Sequence, residues 1–255
     1  MRLENKVAIV TGSGGGIGRA TALRLAKEGA AVIVCDVNQA GIDETVQLIT
    51  EQSGTAIGVV GNVADRGDVQ RVIDTALEKF EHLDILINNA GINRDALTVR
   101  VKDGEIKMMS EEQWDMVLNV NLKGTWLMAQ AAAVPMIKQK YGRIVNTSSI
   151  AAQGNVGQAN YSASKAGVIG LTRTLALEWA RFKINVNCVA PGGVHTPMTA
   201  NIPEQIRTTL LEGTPFKRWA EPGEIAAVHA FLASDDASYV TGQVIWVYGG
   251  VTLGG

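Results

Sequence analysis

Seven short, almost wholly apolar runs alternate along this chain with longer amphipathic ones, and that alternation restricts the folds open to it. Val7–Thr11, Ala31–Cys35, Ala56–Val60, Ile85–Asn88, Arg143–Thr147, Asn185–Val189 and Val244–Val247 read as strands. Helical periodicity fills the gaps, over roughly Ile17–Glu28, Ala40–Gln52, Arg66–Phe80, Ser110–Lys138, Tyr161–Arg181 and Glu224–Leu232. Such alternation builds βαβ units with right-handed crossovers. Strands that are apolar at successive positions are covered on both faces, as in a parallel sheet. With 46% hydrophobic residues over 255, the chain supplies a large core. No repeat and no Pro- or Ser-rich linker divides it. The expectation is one α/β domain over residues 1–255, doubly wound around a mostly or wholly parallel seven-stranded sheet. The stretch Gly192–Pro215 carries Pro197, Pro203 and Pro215 and has weak periodicity. It is expected to leave the sheet as a substrate lid.

Composition excludes several classes. A formal net charge of −2 gives no basis for binding nucleic acid or an anionic membrane. No apolar run is long enough to span a bilayer. The start, Met1-Arg2-Leu3-Glu4-Asn5-Lys6, lacks the apolar core of a signal peptide. Cys35 and Cys188 sit in apolar runs and are expected as buried, reduced thiols. A soluble protein of the cytoplasm is the expectation. Three scattered histidines without a cysteine cluster predict no metal site. His195 reads as a loop side chain, and His82 and His229 as surface or helix residues. Trp114 and Trp126 are expected in the core or at a subunit contact.

The first strand runs into a glycine-rich turn, Gly12-Ser13-Gly14-Gly15-Gly16-Ile17-Gly18, and then into a helix. Glycines there permit a tight turn and let a pyrophosphate reach the backbone, while the helix N-terminus offers free N–H groups and a positive dipole end. No Gly-Lys-Ser/Thr ending follows, which disfavours a nucleotide triphosphatase loop. The context is that of a Rossmann-type dinucleotide site. Asp36 closes the second strand, where a carboxylate accepts hydrogen bonds from ribose hydroxyls and repels a 2′-phosphate. Gly14 and Gly15 bring no cation to neutralise one. NAD is therefore expected over NADP.

Tyr161 and Lys165 lie four residues apart, on one face of a helix. A phenol titrates near 10 and is a poor base at neutral pH. A cation about 4 Å away favours the phenolate by roughly 4 kcal/mol at an effective dielectric of about 20. That corresponds to a pKa lowered by about three units. A phenol so tuned exchanges a proton with an alcohol or ketone near pH 7.

With Gly12–Gly18, Tyr161 and Lys165 on one chain, the sequence resembles the short-chain dehydrogenase/reductase family over nearly its whole length. Asn88-Asn89-Ala90-Gly91 matches the family's segment after the fourth strand, and Pro191-Gly192 its turn after the sixth. Within the family, Gly91-Ile92-Asn93-Arg94-Asp95, Gly157-Gln158-Ala159-Asn160-Tyr161 and Thr241-Gly242-Gln243 look most like the 3-oxoacyl-[acyl-carrier-protein] reductases. The resemblance implies that Ser149 bonds the substrate oxygen, that Tyr161 is the general acid/base and that Lys165 holds the nicotinamide ribose and lowers the tyrosine pKa. It implies that Asn121 anchors a water in a proton relay through Lys165. Asn62 and Val63 would flank the adenine. Asn89, Ala90 and Gly91 would support the fourth strand and the cofactor. Pro191, Gly192, Val194 and Thr196 would line the cofactor's other end, with Thr196 on the carboxamide. Relatives mostly place the serine thirteen residues before the tyrosine. Ser148 has that spacing, while the local match Ser148-Ser149-Ile150-Ala151 favours Ser149, so both stay open.

The resemblance implies hydride transfer between nicotinamide and a carbonyl or secondary alcohol, with a 3-oxoacyl thioester on acyl carrier protein or coenzyme A as substrate. Lys138, Lys140, Arg143, Arg181 and Lys183 form a basic edge, read either as a solvated face or as a contact for an acidic carrier. The chain departs from that pattern at Asp36, since biosynthetic reductases use NADP, and at Leu97–Gln113, which is longer and includes Gly104–Met109. An NAD-linked dehydrogenase of another secondary alcohol is the alternative. A non-catalytic NAD-binding scaffold or sensor is a remote one. Relatives form homotetramers through the fourth and fifth long helices, where Ala129–Ala133 and Val168–Leu177 offer small or apolar surface.

Overall fold

The computed structural model describes residues 1–200, 202 and 204–251. Its strands are β1 (Val7–Thr11), β2 (Ala31–Asp36), β3 (Thr55–Val60), β4 (Ile85–Asn88), β5 (Val99–Lys102), β6 (Glu105–Met108), β7 (Gly142–Thr147), β8 (Ile184–Pro191) and β9 (Val244–Val247). Its helices are α1 (Gly16–Lys27), α2 (Gln39–Glu51), α3 (Arg66–Phe80), α4 (Glu111–Leu118), α5 (Gly124–Gln139), α6 (Ala159–Trp179), α7 (Glu204–Glu212) and α8 (Pro222–Ala233). Seven strands form one sheet in the order β3-β2-β1-β4-β7-β8-β9, all pairs parallel. This is the expected α/β architecture.

Both faces of the sheet are covered, which explains why its strands are mostly apolar at successive positions. Val7 and Ile9 of β1 join a core with side chains of α3, α5 and α6, while Ala8 and Val10 join a second core with those of α1, α2 and α8. The chain winds outward from β1 to β3 and then returns to β4 on β1's other side. That reversal opens a crevice at the carboxyl ends of β1 and β4, where doubly wound folds bind ligands.

Two local features depart from the sequence expectation. The longer Leu97–Gln113 segment contains a β-hairpin, with Val99 opposite Met108 and Val101 opposite Ile106. Its turn places Asp103 and Gly104 at φ 51° and 81°, the two left-handed positions that an Asp-Gly pair suits. The helix expected as unbroken over Ser110–Lys138 contains a wide turn at Asn119–Lys123, where the Gly124 N–H reaches back five residues to the Asn119 carbonyl. Such π-turns concentrate at functional sites, and this one carries Asn121. Of the Gly192–Pro215 segment, α7 lies within the described residues; Asn201 and Pro203 lie outside them.

Candidate active site

The glycine-rich turn is built for close approach. Gly12 has φ 64°, and a Cβ there would stand 2.8 Å from the Ala90 Cα. A Cβ on Gly18 would overlap the Gly12 carbonyl. The first turn of α1 has neither a side-chain cap nor an acidic residue. A Cβ on Gly15 would meet nothing within 4 Å, so space remains open beside the uncapped helix end. Free N–H groups at a positive dipole end suit a pyrophosphate, and these residues fit a dinucleotide. Ser13 braces the turn: its Oγ donates to the Val10 carbonyl at 2.7 Å and accepts from Cys35 N–H at 3.0 Å.

Asp36 lies beside this turn at the end of β2. Its Oδ2 accepts the Gly14 N–H at 2.9 Å and its Oδ1 the Asn38 N–H at 3.1 Å. Arg19 is turned away and engaged by Gly14 O, Thr45 and Glu44. Asn62 and Val63 follow the end of β3, Val63 buried and Asn62 exposed. Asn89 secures the other wall, donating from Nδ2 to the Thr11 and Gly12 carbonyls at 3.1 Å each. Thr11 Oγ1 in turn accepts the N–H groups of Asn89 and Ala90.

Ser149, Tyr161, Lys165 and Asn121 come together beyond β4 and β7. The Ser149 hydroxyl lies on the side of the half-buried Tyr161 phenol, whose acidity it favours, and accepts the Ala151 N–H at 3.1 Å. Ser148 points elsewhere: it is buried and donates to the Lys165 carbonyl at 2.8 Å. The structure thus separates the two serines by direction. Lys165 is buried and donates from Nζ to the Thr147 carbonyl at 2.8 Å. Asn121 clamps Ile92, accepting its N–H at 2.8 Å and donating to its carbonyl at 2.9 Å, and also donates to Ser164. A Cβ on Gly91 would lie 3.3 Å from Asn121 Oδ1 and 3.4 Å from Lys165 Nζ, so Gly91 keeps the space beside the lysine clear.

The electrostatics correct one expectation. Lys165 Nζ lies 5.6 Å from the centre of the Tyr161 ring, with its hydrogen bond directed at Thr147. Burial raises the phenol above its ordinary value of 10, the Ser149 hydroxyl opposes this, and Asp95 adds to the rise. Four-residue spacing fixes the shared face but not the depth of burial, and desolvation outweighs the cation. Burial also pulls Lys165 down to about 8. The neighbouring Cys188 thiol, pushed up to about 11 by burial, is neutral near pH 7.

The lid segment begins over the turn. A Cβ on Gly16 would meet Thr196 Cγ2 at 3.4 Å, and Thr196 N–H donates to Thr199 Oγ1 at 3.1 Å. Pro191 ends β8, Gly192 N–H bonds the Val247 carbonyl, and Val194 is buried. His195 is exposed and tilts against Trp219, 5.5 Å between ring centres. Among the described residues, no His/Cys/Asp/Glu group could hold a metal ion.

Other expectations are overturned. Lys138, Lys140, Arg143, Arg181 and Lys183 belong to the amino ends of β7 and β8, whereas Tyr161 lies near their carboxyl ends. From Arg143 to Thr147 the strand alone covers about 13 Å. Arg143 is moreover buried and bonded to Asp235 and Asn185 at 2.9 Å each. Arg143 is thus not part of a basic surface, and the other four cations lie at the sheet edge opposite Tyr161. Trp114 and Trp126 are partly exposed and outside the core, which leaves the subunit-contact half of that expectation untouched. Ala129, Ala132, Ala133 and Val168 are buried within the chain, while Trp126, Val134 and Leu177 face outward. His229 is on a helix, yet fully buried.

Sequence reasoning missed several supports of the site. Thr147 carries the carbonyl that holds Lys165. Buried Asn160 donates to the Arg94 and Gln113 carbonyls and accepts the Tyr161 N–H. Gln158 bonds Asp95 at 2.8 Å, so the loop before Tyr161 and the root of the hairpin form one wall. Thr147 offered no signal beyond a strand-end residue, whereas Asn160 adjoins the tyrosine.

An uncapped helix end open to phosphate, on one chain with a phenol and a buried lysine on a shared helix face, defines a dinucleotide-dependent oxidoreductase. The chain belongs to the short-chain dehydrogenase/reductase family. Residues 12–252 match the family model described as enoyl-(acyl carrier protein) reductase. The chain is 48% identical to a 3-oxoacyl-[acyl-carrier-protein] reductase (FabG) of Thermotoga maritima, over 99% of this chain and 100% of that protein. It is 43% identical to the (2S)-[(R)-hydroxy(phenyl)methyl]succinyl-CoA dehydrogenase subunit BbsD of Thauera aromatica, over 99% of each. The crystal structure of levodione reductase superposes with a TM-score of 0.91 at 35% identity, covering 98% of each chain.

Proposed function

We propose that this enzyme reduces the ketone of a 3-oxoacyl thioester, carried on acyl carrier protein or coenzyme A, with NADH, and that Ser149, Tyr161, Lys165 and Asn121 do the proton chemistry. The observation that carries this reading is the convergence of Lys165 Nζ, 5.6 Å from the Tyr161 ring centre, with Asn121 around the space that Gly91 leaves clear. Both thioester carriers are represented among the names of the similar proteins.

When bound, a nicotinamide dinucleotide supplies the hydride. Gly12 to Gly18, Asp36, Asn62, Val63, Asn89 to Gly91, Pro191, Gly192, Val194 and Thr196 hold it. Tyr161 gives its proton to the oxygen of the reacting carbonyl, and Ser149 donates a hydrogen bond to that oxygen. A phenol kept protonated by burial is already in the donor form at neutral pH. Lys165, on the same helix face, is the cation beside the phenol. Asn121 holds Ile92 and Ser164 in register around it.

Asp36 supports NAD over NADP. Two backbone N–H groups fix its carboxylate where it would oppose a 2′-phosphate, and the Arg19 guanidinium is already engaged. The residues 192–215 are the proposed lid and 1–255 the single catalytic domain. The outward Trp126, Val134 and Leu177 support a homotetramer built through α5 and α6. Among the described residues no helix is long and apolar enough to cross a membrane; the cytoplasm is the proposed compartment. The second reading, an NAD-linked dehydrogenase of another secondary alcohol, is favoured by the added hairpin rising from the wall beside Tyr161.

Steady-state kinetics with acetoacetyl-CoA, a carrier-linked 3-oxoester and simple secondary alcohols, using NAD(H) and NADP(H) in parallel, tests this. The highest kcat/KM is expected for a thioester with NADH. Turnover confined to simple alcohols would move the assignment to the second reading.

A further inference from the structure

His229 lies outside the residues assigned above and is fully buried on α8. Its ring touches two hydroxyls from different elements. Nδ1 is 2.9 Å from Thr21 Oγ1 on α1, and Nε2 is 3.4 Å from Thr147 Oγ1 at the end of β7. Thr21 gives its single hydroxyl proton to the Ile17 carbonyl at 2.8 Å, so toward the imidazole it can only accept. Nδ1 therefore carries the hydrogen, and Nε2 accepts from Thr147. Burial lowers the histidine to about 4, which agrees with that neutral tautomer.

Each end of this bridge reaches the site. Ile17 belongs to the first turn of α1, beside the glycine cradle. The Thr147 carbonyl takes the Lys165 Nζ proton at 2.8 Å. Hydrogen bonds thus link Ile17 through Thr21 and His229 to the Thr147 hydroxyl, and the same residue's carbonyl bonds Lys165. A hydroxyl locked by His229 fixes the rotamer of Thr147 and with it the strand end that aims the carbonyl.

We propose that His229 is a positioning residue, which braces α1 against Thr147 and so sets the place of the Lys165 ammonium. The proposal rests on Lys165 serving the reaction described above. A brace of this kind acts on the step that uses the lysine, not on the affinity for the ketone.

The test compares wild type with His229→Leu, Thr147→Val, the double variant and Thr147→Ser, using acetoacetyl-CoA and NADH. His229→Leu is expected to lower kcat about ten-fold, with the ketone KM within two-fold. Thr147→Val, which keeps the carbonyl and loses the hydroxyl, should match it. Thr147→Ser should recover kcat to within two-fold. The double variant should be no worse than either single, because both break one bridge. A folded His229→Leu with wild-type kcat, or losses that multiply in the double variant, overturns the proposal. If His229→Leu does not fold, an unchanged kcat in Thr147→Val overturns it equally. The Lys165 13Cε resonance, assigned with Lys165→Met, reads the brace without any turnover. Both single variants should move it in the same direction, and an unmoved signal overturns the proposal even if wild type reduces no ketone. Absence of wild-type turnover with a moved signal would instead locate the failure in the assigned reaction.

Discussion

Ser148 and Ser149 are neighbours in sequence and engage different partners along α6. Ser149 lies on the side of the Tyr161 phenol, and Ser148 meets the backbone carbonyl of Lys165. In the proposed reaction Ser149 bonds the reacting oxygen, while Ser148 is an internal tie. Ser149→Ala should lower kcat by about 10²–10³-fold, the loss typical of one oxyanion donor. Ser148→Ala should keep kcat within about three-fold and lower stability by about 1 kcal/mol. Steady-state rates with thermal melts of both variants check this, and the reverse pattern would exchange their roles.

Asp36 predicts a coenzyme switch. Hydrogen bonds to a charged group contribute about 1.5–3 kcal/mol, or roughly 10- to 150-fold. Asp36→Ala should reduce kcat/KM for NADH by about that factor and change NADPH little or improve it. Parallel titrations of the two coenzymes measure the ratio. A ratio unchanged by the substitution would remove Asp36 from the ribose site.

Burial of His229 predicts an acid-side loss of stability. The folded group titrates at about 4 and the reference histidine at 6.5. Between those values the unfolded chain holds more protons, so stability falls as pH drops through the window and is independent of this group above it. The full loss is about 3 kcal/mol. Urea unfolding at pH 7.5 and 4.5 should show it for wild type, and His229→Leu should lack that part. Identical pH dependence in both proteins would show that the ring is not held neutral.

The hairpin predicts tolerance to excision. Val99, Val101, Ile106 and Met108 are all exposed, so β5 and β6 give little to either core. Replacing Val99–Met108 by two glycines should leave the melting temperature within about 2 °C, a change of no more than about 1 kcal/mol at the roughly 2–4 °C per kcal/mol expected at this size. A drop of more than about 5 °C would mean that the hairpin is structural.

The sheet strands were legible because the inner ones, β1, β4, β7 and β8, are buried on both faces, which leaves largely apolar runs, and the edge strands β3 and β9 keep apolar residues although only partly buried. The hairpin was hidden for the opposite reason: its apolar residues have no core to meet, although Asp103-Gly104 between alternating residues is a local turn signal. The widened turn at Asn119–Lys123 leaves the apolar periodicity on either side intact and so cannot be read from it. For Tyr161 and Lys165, spacing gives the shared face, while the raised phenol comes from burial by Asn160, the hairpin root and β7, which meet only in three dimensions. His229 had a faint signal, since Ile225, Ala226, Val228, Ala230, Phe231 and Leu232 surround it with apolar neighbours on a short helix.

The central claim is that the Tyr161 phenol moves the proton at a dinucleotide site. Tyr161→Phe removes one oxygen and keeps the ring. Its kcat for acetoacetyl-CoA with NADH should fall by about 10²–10⁴-fold, with NADH binding by tryptophan fluorescence within about two-fold of wild type. A variant that binds NADH normally and still reduces the ketone at more than a tenth of the wild-type rate would contradict it.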